Sequence, residues 1–178
     1  MNTVDELIIN ISDARKNYIN QIENCTQDQA QWKPASEEWN IIEITEHLFW
    51  AEQGSILGMW RTIDAIREGK MERKYESIHQ DMPIEKIIEL TWQAKEKVPA
   101  IAAPRMGGPL SFWRNSLNDL QGVLESFGRH IKNDELRLQA HPHPISGPVD
   151  FHQRFEFLSF HINRHRAQVL RLMDNMND

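Results

Sequence analysis

The sequence predicts an all-α protein built as a helical bundle. Three observations carry that expectation. Apolar residues recur at three- and four-residue steps over several long stretches, no stretch sustains the period-two alternation of a half-buried strand, and Pro- and Gly-rich connections separate the stretches. A helix with one apolar stripe must bury it against another element, so long amphipathic helices joined by loops imply a bundle around a shared core. The 178 residues are enough for one sizeable core, and residues 1–178 are expected to form a single domain.

Thr3 and Glu6 have the spacing of a capping box, in which each side chain satisfies a free N–H at a helix start. Val4, Leu7, Ile8, Ile11, Ala14, Tyr18 and Ile22 then follow in helical register, predicting a first helix to about Asn24. A polar connection from Cys25 to Asn40 carries Trp32, Pro34 and Trp39. Ile41, Ile44, Leu48, Ala51, Ser55, Met59, Ile63 and Ile66 mark a long second helix that Gly69 should end. Pro83 can open a third, since its missing N–H costs nothing in a first turn, with Ile84, Ile87, Ile88, Thr91, Ala94 and Val98 as its stripe. PAIAAPRMGGP (Pro99–Pro109) cannot stay helical and should be a loop. Leu117, Leu120, Leu124 and Phe127 place a further helix over Ser111–His130, and HPHPISGP (His141–Pro148) reads as a rigid turn. The last helix opens at a second capping-box spacing, Asp150 and Gln153, and is lined by Phe151, Phe155, Leu158, Ile162, Val169 and Leu172.

Composition excludes several function classes. Lys+Arg 20 against Asp+Glu 26 gives a net charge of −6, which argues against nucleic-acid binding driven by clustered basic residues. The lone Cys25 cannot form an internal disulfide, and with no basic residue or His beside it the thiol is expected to be inert. No apolar run approaches the roughly 18 residues of a membrane span, and no signal peptide is visible, so the expected address is the cytoplasm. Phosphate-binding Gly loops, G-x-S-x-G and H-E-x-x-H are all missing; after Glu46-His47, position 50 is Trp. Eight histidines remain to be explained.

The sharpest local pattern is His161-Ile-Asn-Arg-His165. Residues four apart lie about 40° apart around a helix, so both imidazoles project from one face, where a single ion can take both nitrogens. His165 falls inside the apolar register and His161 borders it, which points both toward the bundle interior. His47, one turn from Ile44 and Ala51, stands at the edge of the second helix's stripe and is a third candidate. Two readings stand at this point: a three-His metal site, or core histidines hydrogen-bonded to carboxylates and backbone carbonyls. His141 and His143 in the Pro-rich turn are spare donors, and His79, His130 and His152 are expected at the surface.

TEHLFWAE (Thr45–Glu52) after the Trp39 loop, then HPHPISGPVD and FLSFHINRHRAQVLRL, resemble the DinB/YfiT-like superfamily over nearly the whole chain. The order is specific: a Trp loop, a helix with one His, prolines and Gly, then H-x3-H with a following Gln. The resemblance implies an up-down-down-up four-helix bundle and a divalent metal, zinc or nickel, held by histidines at positions that match His47, His161 and His165. It also implies thiol-dependent S-transferase or isomerase members and metal-dependent hydrolases. The expected function is therefore metal-dependent catalysis on a small-molecule substrate, with a low-molecular-weight thiol as a candidate co-substrate and a homodimer as the candidate assembly. The middle of the chain departs from the compact family pattern, and an extra short or split helix is expected around 83–99.

The alternatives are a non-catalytic metal-binding or interaction bundle in a stress response, and an apo bundle. Structural zinc usually takes four protein ligands whereas three leave an open position, so the count leans toward catalysis. Trp39 and Trp50 either line a pocket mouth or pack in the core. Gln168, three residues after His165, is a candidate hydrogen-bond partner to a ligand. Arg164 is expected to form a surface ion pair. Glu52 and Glu156 lie on the ligand-bearing helices, but neither stands out as a general base.

Overall fold

A computed structural model of the protein describes residues 2–75, 78–92 and 98–177. Its helices are α1 (Val4–Gln21), α2 (Gln27–Gln31), α3 (Ile41–Arg67), α4 (Ile84–Thr91), α5 (Leu110–His130) and α6 (Phe151–Asn177), with a 3₁₀ turn at Asn133–Glu135. Both expected capping boxes form. Thr3 Oγ1 accepts from Glu6 N–H and Glu6 Oε2 from Thr3 N–H; Asp150 Oδ1 accepts from Gln153 N–H and Gln153 Oε1 from Asp150 N–H.

Contacts along the four long helices set their directions. Val4 at the start of α1 is held by Asn133 beyond the end of α5, and Ser12 meets Gln121, so these helices run antiparallel. Tyr18 near the end of α1 bonds Thr45 near the start of α3. Phe49 and Trp50 pack on Trp113 near the starts of α3 and α5, while Arg67 reaches the His130 carbonyl at their ends, so α3 and α5 are parallel. Gln21 meets Met173, which places the ends of α1 and α6 together. The bundle is thus up-down-down-up, and the long 68–109 connection lets two successive bundle helices run in the same direction. Leu7, Ile11, Ile44, Leu48, Met59, Leu117, Leu124, Phe127, Phe155 and Ile162 fill its core. No helix among the described residues is long and apolar enough to cross a membrane.

The expected piece around 83–99 is shorter than its apolar pattern suggested. α4 ends at Thr91, Trp92 is extended with its indole N–H on Ser146 Oγ, and Ala94 lies outside the described residues. Ile84, Ile87 and Ile88 pack with Val149 and Phe157 as a satellite cluster on α6. α2 is a single capped turn inside the expected polar connection, held by a Thr26–Gln29 capping box.

Candidate metal centre

α3 and α6 run antiparallel and aim their histidines at one point. His47 is carried inward by the register of Ile44 and Leu48, and His161 and His165 by that of Leu158, Ile162 and Val169; all three are buried. His47 Nε2 and His165 Nε2 each lie 3.1 Å from His161 Nε2. A four-coordinate ion with metal–nitrogen distances of about 2.0–2.1 Å holds its ligand nitrogens about 3.3 Å apart, so the three rings stand close to coordinating separation.

The far side of two rings decides their protonation. His47 Nδ1–H donates to the Ala102 carbonyl at 2.8 Å, and His165 Nδ1–H donates to Gln168 Oε1 at 2.8 Å. Both Nε2 atoms therefore present lone pairs toward His161. His161 Nε2 has at most one proton to give, so at least one of the two lone pairs is left without a donor. A cation among the three nitrogens meets that need, and an outer hydrogen bond on a ligand histidine is what orients it for a metal.

Burial also keeps the rings uncharged. It lowers His47 against the opposing pull of the Ala102 carbonyl. Burial, then the neighbouring His165 and His47, holds His161 well below the ordinary imidazole range. Burial and His47 bring His165 down to about 3, although the bond to Gln168 opposes them. Neutral imidazole is the form that ligates a metal.

The loop expected at Pro99–Pro109 is part of this construction, and Glu46 secures it. The buried Glu46 carboxylate accepts the backbone N–H groups of Arg105, Met106 and Gly107 at 2.8–2.9 Å and the Trp50 indole N–H at 3.1 Å. Burial pushes its carboxyl up, but these donors outweigh burial and hold it below the usual carboxylate range. The loop so anchored supplies the Ala102 carbonyl to His47. Glu46 thus acts on the centre through the loop, a connection that sequence spacing did not reveal.

A cavity of about 340 Å³ opens beside the three histidines. Trp50 lines it, under the Arg105 guanidinium at 4.1 Å, whereas Trp39 packs on the His47 ring at 5.0 Å and is not in the wall. Arg164, expected in a surface ion pair, forms none among the described residues; its guanidinium lies over the Trp92 ring at 4.8 Å, at the cavity edge. Glu52 is committed to the buried Arg15, and Glu156 stands 3.5 Å from His152. Among the described residues no Asp or Glu lines the cavity. Burial pushes the Cys25 thiol up, in keeping with an inert cysteine.

His141 and His143, read as spare donors in the sequence, are in the cavity wall. The turn that carries them closes through His143 N–H to Gly147 carbonyl at 2.8 Å and the reverse bond at 2.9 Å, with Gly147 at φ +71. His79 and His152, expected at the surface, are buried. His79 Nε2–H donates to the Ser146 carbonyl across the same turn at 2.9 Å.

A family model described as the DinB superfamily matches residues 10–169. The uncharacterized protein YuaE of Bacillus subtilis (strain 168) is 21% identical over 174 residues, covering 93% of this chain and 96% of the relative. YfiT from Bacillus subtilis, described as a probable metal-dependent hydrolase with an unusual four-helix bundle topology, superimposes with a TM-score of 0.62 at 12% identity. That superposition covers 98% of this chain and 87% of YfiT, and shows a shared fold.

Proposed function

The chain belongs to the DinB superfamily, and on that premise we propose that it is a divalent-metal-dependent enzyme whose ion is held by His47, His161 and His165. The observation that carries the reading is the unmet lone pair: three buried, uncharged imidazoles meet at 3.1 Å with the outer nitrogens of two already spent on Ala102 and Gln168. An all-imidazole set suits zinc or nickel. When bound, such an ion supplies Lewis-acid activation of a nucleophile.

The chain's own residues orient and shield. Ala102 and Gln168 hold two ligand rings in the required tautomer. Glu46 keeps the 102–107 loop seated beside them. Trp50, Ile101, Ala102 and Phe157 give the cavity a largely apolar wall that limits water around the reacting atoms. Among the described residues that wall holds no carboxylate, and the accepting nitrogens of His141 and His143 are already engaged, by Arg154 and by the Ile145 and Ser146 N–H groups, so no free base stands ready to activate water. A thiol ionises far more readily than water, so a low-molecular-weight thiol is the nucleophile that this site suits best, and the proposed reaction is S-transfer to a small electrophile. Hydrolysis is the second reading, favoured by the description of YfiT.

The test is a matched pair of assays on protein loaded with about one equivalent of zinc or nickel. One follows conjugation of 1-chloro-2,4-dinitrobenzene with glutathione, bacillithiol or mycothiol; the other follows p-nitrophenyl ester hydrolysis. Metal-dependent conjugation with at least one thiol supports the first reading. Ester hydrolysis alone transfers support to the second, and inactivity in both, with metal bound, leaves a binding module.

A further inference from the structure

Two arginines are buried among the described residues, Arg15 and Arg154, and their surroundings differ. Arg15 is met by the Glu52 carboxylate and by Gln121. Arg154, 4% exposed, makes no ion pair among the described residues. Its Nη2 donates to His141 Nε2, while Nε and Nη1 have no partner among those residues. A buried charge without a counter-charge is costly, so a protein that keeps one keeps it for a reason beyond stability.

The unpartnered groups are concentrated. Five buried side-chain polar atoms among the described residues lack a hydrogen bond, and four of them belong to Arg154, His141 and Ser55. These three residues stand in the wall of the cavity beside the histidine centre. The available hydrogen-bond chemistry is mostly that of donors. His141 accepts at Nε2, so in its neutral form the unpartnered Nδ1 carries the proton. His143 accepts at Nδ1 from the Ile145 and Ser146 N–H groups at 3.2 and 3.1 Å, which puts its proton on Nε2. Arg154 adds a positive charge, and among the described residues no acid lines the cavity to balance it.

A neutral ligand would leave that charge uncompensated, and a cation would be repelled. One buried guanidinium flanked by neutral N–H and O–H groups matches a single negative charge with acceptor oxygens. The rest of the wall, with Trp50, Trp92, Ile101 and Phe157, is apolar. Phe157 joins the two ends: its ring stacks on His161 at 5.2 Å and lies 4.4 Å from the His143 ring. We propose that the substrate is an organic monocarboxylate with an apolar body, its carboxylate recognised by Arg154 with help from His141 and His143. Its reacting end lies toward His47, His161 and His165. The proposal rests on the metal-enzyme reading for its chemistry; the recognition itself is carried by Arg154.

Gly58 is what lets this wall form. A Cβ there would lie 2.6 Å from His141 Cε1, so the His141 ring sits directly against the α3 backbone and from there reaches Arg154.

The test is read on metal-free protein. Phenylacetate, 4-phenylbutyrate, their amides and inorganic phosphate are titrated against wild type, Arg154→Met and Arg154→Lys. Fluorescence of the cavity tryptophans and the thermal midpoint are followed. In wild type at least one carboxylate should bind about tenfold or more tightly than its amide and raise the midpoint. Arg154→Met should lose that preference and, without ligand, melt no lower than wild type, since an unpaired buried charge is gone. Arg154→Lys should keep part of the preference. The proposal is overturned if acids and amides bind alike, if no carboxylate binds at about 10 mM, if Arg154→Met retains the preference, or if phosphate binds more tightly than every carboxylate. Should Arg154→Met not fold, the acid–amide comparison in wild type decides. Failure to take up metal would overturn the enzyme reading and leave this one standing; equal acid and amide affinity in protein that does bind metal would do the reverse.

Discussion

Mild acid should destabilise the metal-free protein well before its carboxylates titrate. Burial, with Arg154 as the next cause, brings His141 and His143 down to about 3, and burial with His47 does the same to His165. In an unfolded chain each returns to about 6.5. Between those values the unfolded state binds the protons that the folded state refuses, so stability falls as pH falls. The contribution is intact above about pH 6.5 and is lost progressively toward about pH 3. At about pH 5 each ring has cost about 2 kcal/mol, or about 6 kcal/mol for the three, at about 1.4 kcal/mol per pH unit. His47 and His161 shift in the same direction and add to it. A total of that size rivals the whole stability of an ordinary domain, about 5–15 kcal/mol. Urea unfolding of chelator-treated protein at several values between about pH 7.5 and 5 measures it directly. A midpoint that holds constant down to about pH 5 and drops only below about 4.5 would show that the histidines are not buried as neutral groups.

Other perturbations have separate signatures. His161→Ala/His165→Ala should take up less than about a tenth of an equivalent of zinc while retaining the helical circular dichroism of wild type. Glu46→Gln removes the anionic acceptor of three backbone N–H groups, and should cost about 1–3 kcal/mol in urea unfolding. Through the displaced Ala102 carbonyl it should also weaken zinc binding about 10- to 100-fold in a chelator competition; unchanged affinity would uncouple the loop from His47. Because the folded Glu46 carboxyl sits below its usual range, that stability is present above about pH 4.5 and lost as pH falls further. Gly58→Ala must displace the His141 ring and should lower stability by about 1–3 kcal/mol. Gly54→Ala on the same helix meets nothing within 4 Å and should raise stability by about 1 kcal/mol. A thermal melt of both variants separates the packing effect from helix propensity.

The helices were legible because local signals agreed with global packing. Thr3–Glu6 and Asp150–Gln153 marked two starts, and the stripes from Ile41 to Ile66 and from Leu117 to Phe127 marked the buried faces of α3 and α5. α2 escaped because one turn carries too little periodicity, although Thr26-x-x-Gln29 was there to be read. α4 stops at Thr91 because Trp92 turns out to hydrogen-bond Ser146, a long-range contact with no local trace. The two histidines of α6 and His47 of α3 showed themselves by register, and the structure brings them together. His141 and His143 could not be placed, since a loop residue's burial depends on what the loop folds against. Arg154 did leave a signal: it lies seven residues before His161, on the same stripe, where an arginine between Phe151 and Leu158 breaks an apolar face.

An ion held among His47, His161 and His165 underlies the proposed chemistry, and its coordination sphere is the most direct test. Protein purified without an affinity tag and equilibrated with zinc should hold about one ion per chain. X-ray absorption should show three imidazole nitrogens at about 2.0–2.1 Å and at least one position filled by a non-protein ligand. A fourth protein ligand would make the site closed and structural, contradicting an enzyme. Wild-type protein that folds fully and binds no ion would contradict the metal centre itself.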